Sequence, residues 1–205
     1  MEAVTLIAVS KTWPAEAVVA AMRAGLTDFG ENRVQEALAK QAAIRGLARE
    51  AGLPEPAWHL VGHLQTNKAR AASEAFAILH AIDSARLLEA LAQSQTAGRG
   101  PVDIMIEVNV AGEATKFGVP TGEVHALVSA ARATGAVRLL GLMTVAPRVD
   151  NPEQARPVFR ELRRLAEGEN LQCLSMGMTD DFEVAIEEGA THVRVGRALF
   201  GERSA

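Results

Sequence analysis

Short aliphatic and β-branched runs alternate with helical stretches from one end of the chain to the other, and that alternation leaves few folds open. Eight strand candidates are legible: Thr5–Val9, Thr27–Phe29, His59–Gly62, Ile78–Ile82, Val102–Asn109, Val137–Thr144, Cys173–Met178 and His192–Val195. Over 205 residues they recur about every 26, room for one strand, one helix and two short loops. The helices are predicted at Pro14–Ala24, Asn32–Arg49, Ala85–Gln95, Gly122–Ala133, Pro152–Ala166 and Asp181–Glu188. Pro14 and Pro152 suit a first helical turn, Gly25 and Gly189 suit a stop, and Ser84, Thr121, Asn151 and Asp180 stand where a side chain can cap.

Runs such as Ile104-Met105-Ile106 are apolar on both faces, as in a parallel sheet covered by helices. Two architectures fit, a closed (β/α)8 TIM barrel and a doubly wound open sheet. The open sheet binds phosphate at a glycine-rich first turn, whereas the first turn here, Val9-Ser10-Lys11-Thr12, has no glycine. Barrels often bind phosphate after the seventh and eighth strands. Those are the glycine-containing stretches Ser175-Met176-Gly177-Met178 and Val195-Gly196-Arg197. The expectation is one barrel domain over residues 1–205. The stretch after the eighth strand, Arg197–Arg203, can make at most a short turn, which predicts a seam between the last and first strands without a covering helix. That apolar seam is one a second chain could cover.

Composition bounds the function. Hydrophobic residues make up 48% and charged residues 22%, which excludes a disordered chain. A net charge of −4 argues against nucleic acid and anionic membrane as partners. A single cysteine, Cys173, has no intramolecular partner and reads as a core residue in a reducing compartment. Met1-Glu2-Ala3 lacks a basic start, and Leu6–Val9 is too short for a signal core, so a soluble cytoplasmic protein is expected. There is no tyrosine, and among 21 basic residues only Lys11, Lys40, Lys68 and Lys116 are lysine.

In a barrel the active face lies at the C-terminal ends of the strands. Lys11 follows an apolar strand directly, and Arg194 stands near another strand end. An ammonium desolvated beside a second cation becomes a free amine, a nucleophile that traps carbonyls as Schiff bases. A lysine snorkelling to solvent or paired with a carboxylate is the competing reading. Ser175 with Gly177, and Gly196 with Arg197, could cradle a phosphate or could be ordinary turns. His59 and His63 span a strand end and a loop with no third ligand in view, so no metal is expected. The basic cluster Arg160–Arg164 reads as a solvated helix face.

The residues at these strand ends fall into a known pattern. The segments are Leu6-Ile7-Ala8-Val9-Ser10-Lys11-Thr12, Phe29-Gly30-Glu31-Asn32, Trp58-His59, Gly62-His63-Leu64-Gln65, Lys116-Phe117-Gly118, Gly141-Leu142-Met143-Thr144, Ser175-Met176-Gly177-Met178 and Val193-Arg194-Val195-Gly196. In order and across the whole chain they resemble the pyridoxal phosphate homeostasis proteins, relatives of the barrel domain of alanine racemase. The resemblance implies pyridoxal 5′-phosphate (PLP) held as a Schiff base on Lys11. It implies phosphate contacts from Ser175, Gly196 and Arg197, Arg194 facing the pyridine nitrogen, and Asn32, Met143 and His59 near the ring. This chain departs from the pattern at Thr179, usually serine, at Arg197, often threonine, and in starting without the usual helix before the first strand.

The implied function is a cytoplasmic, monomeric carrier that buffers PLP or delivers it to PLP-dependent apoenzymes. An arginine at the ring nitrogen makes a poor electron sink. Racemases of this fold also use a tyrosine from a second domain, and this chain has neither. A PLP-dependent racemase or lyase with weak activity is the alternative, and a regulator that binds RNA through surface arginines is a weaker third.

Overall fold

The computed structural model describes residues 4–95, 98 and 100–202; Met1-Glu2-Ala3, read above for a targeting signal, lies outside them. Eight parallel strands close a barrel in the order β1 (Thr5–Val9), β2 (Asp28–Glu31), β3 (Ala57–Leu60), β4 (Ile78–Ile82), β5 (Val102–Asn109), β7 (Val137–Met143), β8 (Cys173–Met178) and β9 (His192–Val195), with β9 pairing back to β1. A two-residue strand β6 (Val119–Pro120) adds to the edge of β5 and was not expected. Helices α1 (Ala15–Arg23), α2 (Val34–Glu50), α3 (Ala69–Ala75), α4 (Ala85–Gln93), α5 (Val124–Ala133), α6 (Arg156–Gly168) and α7 (Phe182–Glu187) follow their strands. The four-residue α8 (Arg197–Phe200) follows β9, and Phe200 stacks on Trp13 with ring centroids 5.8 Å apart. The barrel, not the open sheet, is the fold.

Five of the eight expected strands keep their predicted bounds, and the sixth ends one residue early, at Met143. The second runs past its predicted end to Glu31, because Gly30 continues the ladder between Val9 and His59. A side chain at Gly30 would sit 2.9 Å from Ile7 Cγ2 inside the barrel, so only glycine keeps that rung. The third strand ends at Leu60 instead of Gly62, where the chain folds tightly against the backbone of Asn32. Helix α3 escaped delimitation because its buried face, Ala69, Ala72 and Ser73, lacks large apolar residues and so leaves little periodic signal.

Capping followed expectation only at Asn151. Its Oδ1 accepts from Glu153 N at 3.0 Å, and Gln154 Oε1 accepts from Asn151 N. Ser84 stands at its predicted N-cap without a side-chain bond, and Asp181 takes the cap position expected of Asp180. The Arg160–Arg164 cluster is an ion-pair ladder: Arg160 and Arg163 reach Glu188, and Arg164 reaches Glu161.

Most of the core lies between the sheet and the helices, where Phe29, Leu79, Ile104, Leu142 and Phe159 are fully buried. The barrel interior has a much smaller apolar cluster, Ala81, Met105 and Met143, against which half-buried Cys173 packs. Much of the rest of the interior is polar, with His59, His80, Ser175 and Arg194 buried there.

Candidate functional site

The C-terminal ends of the strands surround a cavity of about 760 Å³. Lys11 enters it from the turn after β1, Asn32 from the loop after β2 and Arg194 from β9. Met178 at the end of β8 and Thr179 after it, with Gly196 and Arg197 beyond β9, form one wall; Val145–Asp150 after β7 forms another. Gly196 has its Cβ direction blocked by Val9 O at 3.3 Å, and its N–H lies 3.4 Å from the Thr179 hydroxyl. The guanidinium of Arg197 is paired with Asp180.

Lys11 is seated by a buried polar knot between β1, β2 and α2. Side chains alternate across a strand, so Ser10 faces α2 while Lys11 faces the cavity. The Ser10 amide donates to Gly30 O at 3.0 Å and its hydroxyl donates to Glu31 Oε1 at 2.8 Å. Lys40 Nζ, reaching back from α2, donates to Ser10 O at 2.6 Å and to Glu31 Oε1 at 2.5 Å. Glu31 is fully buried. Beyond Lys11 the chain turns sharply through Thr12, whose φ of +70° is unusual for a β-branched residue.

Beneath the cavity a chain of hydrogen bonds runs through the barrel. Asp28 Oδ1 meets His59 Nε2 at 3.0 Å, His59 Nδ1 meets His80 Nε2 at 3.0 Å, and His80 Nδ1 meets Ser175 Oγ at 2.9 Å. Arg194 Nη1 donates to Ser175 Oγ at 2.7 Å and Nη2 to Thr144 O at 2.8 Å. Burial pushes His80 well below the usual histidine range and His192 down to about 4, and nearby His59 and Arg194 reinforce both. Burial also draws Arg194 down to about 10, against the opposing pull of Glu107 and Asp181. Glu107 is pushed up to about 7 by burial, which outweighs the attraction of Arg194. The hydrogen bond from His59 holds Asp28 below the usual carboxylate range.

Of the residues expected at the site, Lys11, Asn32, Arg194, Gly196 and Arg197 meet at the cavity. Ser175, His59 and Met143 do not line it; they lie in the barrel interior at 0%, 2% and 0% exposure. Ser175 points to the barrel axis, where His80 and Arg194 take up its hydroxyl; the hydroxyl that reaches the cavity after β8 is that of Thr179. Gly177 serves packing: at φ +90° its missing side chain admits Ala185 of α7. His63 pairs with Asp83 at 3.2 Å and stacks on Phe117, away from His59's partners. Sequence reasoning missed Glu31 and Lys40. The scarcity of lysine was the available signal, since Lys40 is one of four.

Comparison with known proteins shows the family. The profile of the family described as alanine racemase, N-terminal domain, matches residues 1–204. A Pseudomonas aeruginosa protein named pyridoxal phosphate homeostasis protein is 43% identical over 98% of this chain and 85% of its own length. The chain belongs to the pyridoxal phosphate homeostasis protein family. Another family member, from Aquifex aeolicus, is 42% identical over 97% of this chain and 86% of its own. PipY of Synechococcus elongatus, solved with PLP bound, is 37% identical with a TM-score of 0.85, covering 97% of this chain and 92% of PipY.

Proposed function

We propose that this protein binds PLP as a Schiff base on Lys11 and serves as a cellular buffer or delivery vehicle for it. One observation carries the reading: Lys11 shares a single cavity with Arg194, Thr179 and Gly196. These residues fit the group. Lys11 supplies the amine that condenses with an aldehyde and releases water. Gly196 and Thr179, both at the cavity, have a backbone amide and a hydroxyl suited to an anion. When bound, PLP supplies a reactive aldehyde and a ring able to draw electrons. Arg194, a donor with no carboxylate character, withholds the ring protonation that would strengthen that draw. The chain contains no tyrosine to act as a second proton carrier of the racemase type. Holding, rather than turnover, is the role these residues support, and recipients would be PLP-dependent apoenzymes. We infer that it acts as a cytoplasmic monomer.

The test is borohydride reduction of PLP-loaded protein followed by peptide mapping. A pyridoxyl group on Lys11, lost in Lys11→Ala, is the expected result. Protein that turns yellow with PLP yet carries the label elsewhere would overturn the assignment. Exchange of amino-acid enantiomers at useful turnover, abolished in Lys11→Ala, would overturn the carrier role.

A further inference from the structure

The hydrogen-bond chain inside the barrel has two ends of fixed chemistry. Arg194 can only donate, and an ionised Asp28 can only accept. Between them each group must pass the direction on. With Asp28 accepting, His59 carries its proton on Nε2, and its Nδ1 accepts from His80 Nε2. His80 Nδ1 then accepts from the Ser175 hydroxyl, whose oxygen accepts from Arg194 Nη1. Every donor finds an acceptor. The reverse order fails: were His80 to donate from Nδ1, the Ser175 oxygen would accept from both His80 and Arg194, and its hydrogen would have no acceptor among the described residues. A buried hydroxyl hydrogen without an acceptor costs about 1–3 kcal/mol.

The chain spans the barrel. Asp28 begins β2 and its side chain is 26% exposed, whereas Ser175 and His80 are fully buried. Other charged and titratable neighbours leave the direction intact. His192 is bonded through Nδ1 to Thr191 Oγ1 at 2.8 Å and only packs its ring on His59 and His80. Glu107 and Asp181 act on Arg194 by charge, Asp181 from the cavity wall. Nor does the chain suit proton conduction, because a guanidinium keeps its proton at neutral pH.

We propose that Asp28, His59, His80 and Ser175 form a one-way hydrogen-bond chain that fixes the guanidinium plane of Arg194 toward the cavity, making Asp28 a positioning residue at the far end of the barrel. Ser175 and the Thr144 carbonyl hold two of its N–H groups, and Ser175 is in turn aimed by the histidines. His59 and Ser175 then act on a bound ligand through Arg194. Only the ligand readout of the test below rests on the PLP reading.

The experiment compares the full chain with Asp28→Asn, an isosteric change that removes the charge setting the direction, and with Asp28→Glu as the conservative control. Nitrogen-15 NMR of the imidazoles reads the tautomers, and the Arg194 guanidinium N–H signals read its rotation. In the native protein His59 and His80 are expected as single Nε2–H tautomers, with Arg194 N–H signals resolved. In Asp28→Asn the tautomers should mix and the Arg194 signals average, with the melting midpoint little changed and Asp28→Glu restoring the native pattern. PLP affinity should fall about fivefold or more in Asp28→Asn, the lower range of coupling between distant sites. A native His80 protonated on Nδ1, or an Asp28→Asn protein with native tautomers and native Arg194 signals, would overturn the proposal. If the native protein takes up no PLP while tautomers and guanidinium respond as stated, the cofactor reading fails and the chain stands.

Discussion

Lys40→Met tests how Lys11 is seated. Lys40 Nζ sits 2.5 Å from Glu31 Oε1 and 2.6 Å from Ser10 O, with the Glu31 side chain fully buried and that of Lys40 13% exposed. Methionine keeps most of the lysine stem, so little packing is lost. What is lost is the countercharge. Glu31 keeps one hydrogen bond, from the Ser10 hydroxyl, while its second oxygen already has no partner. Stranding a buried charge in this way costs about 3–5 kcal/mol. At roughly 2–4 °C per kcal/mol for a domain of this size, the melting midpoint should drop by roughly 6–20 °C. The reverse change, Glu31→Gln, should cost less, because Lys40 can swing its ammonium to water and a buried Glu31 cannot. The double variant should recover most of the Lys40→Met loss, since glutamine at position 31 leaves no buried charge to strand. Calorimetry of the four proteins at pH 7.5 without ligand closes the cycle. Labelling of Lys11 by PLP and borohydride should also slow in Lys40→Met, whose Ser10 carbonyl is unclamped. A midpoint within 2 °C of native in Lys40→Met, roughly the shift of 1 kcal/mol or less, would refute the reasoning. It would mean the pair behaves as a solvated surface bridge.

Two further outcomes follow from the packing and the charges. Gly141→Ala would place its Cβ 1.8 Å from Cys173 O and 2.5 Å from Cys173 C, both main-chain atoms of the neighbouring strand, so the variant should lose cooperative folding by circular dichroism. Glu107 titrates near 7 in the fold, against 4.5 for the free group, so the folded state binds more protons between those values. Stability therefore falls as pH rises through that window, reaching a deficit of roughly 3 kcal/mol above pH 7. Glu107→Gln should raise the melting midpoint more at pH 8 than at pH 5, and an equal effect at both would count against a buried, destabilised carboxylate.

The alternation of strands and helices, the glycines of the last two strand ends and the lysine after the first strand are local features, and they pointed to the barrel class and the active face and singled out Lys11 as a candidate without coordinates. Period and turn chemistry act within a few residues, so they survive in a linear reading. What lay beyond reach depended on how distant strands stack around the axis. Ser175 and Thr179 are four residues apart and both polar, yet only closure of the barrel buries the first among His80 and Arg194 and brings the second to the cavity. His59 likewise looked like a ring contact until the structure set it between Asp28 and His80, partners 31 and 21 residues away. Glu31 and Lys40, nine residues apart, became a pair because α2 returns over β2. Which polar groups end up inside a closed barrel is settled by register around the whole ring, and no stretch of sequence carries that information alone.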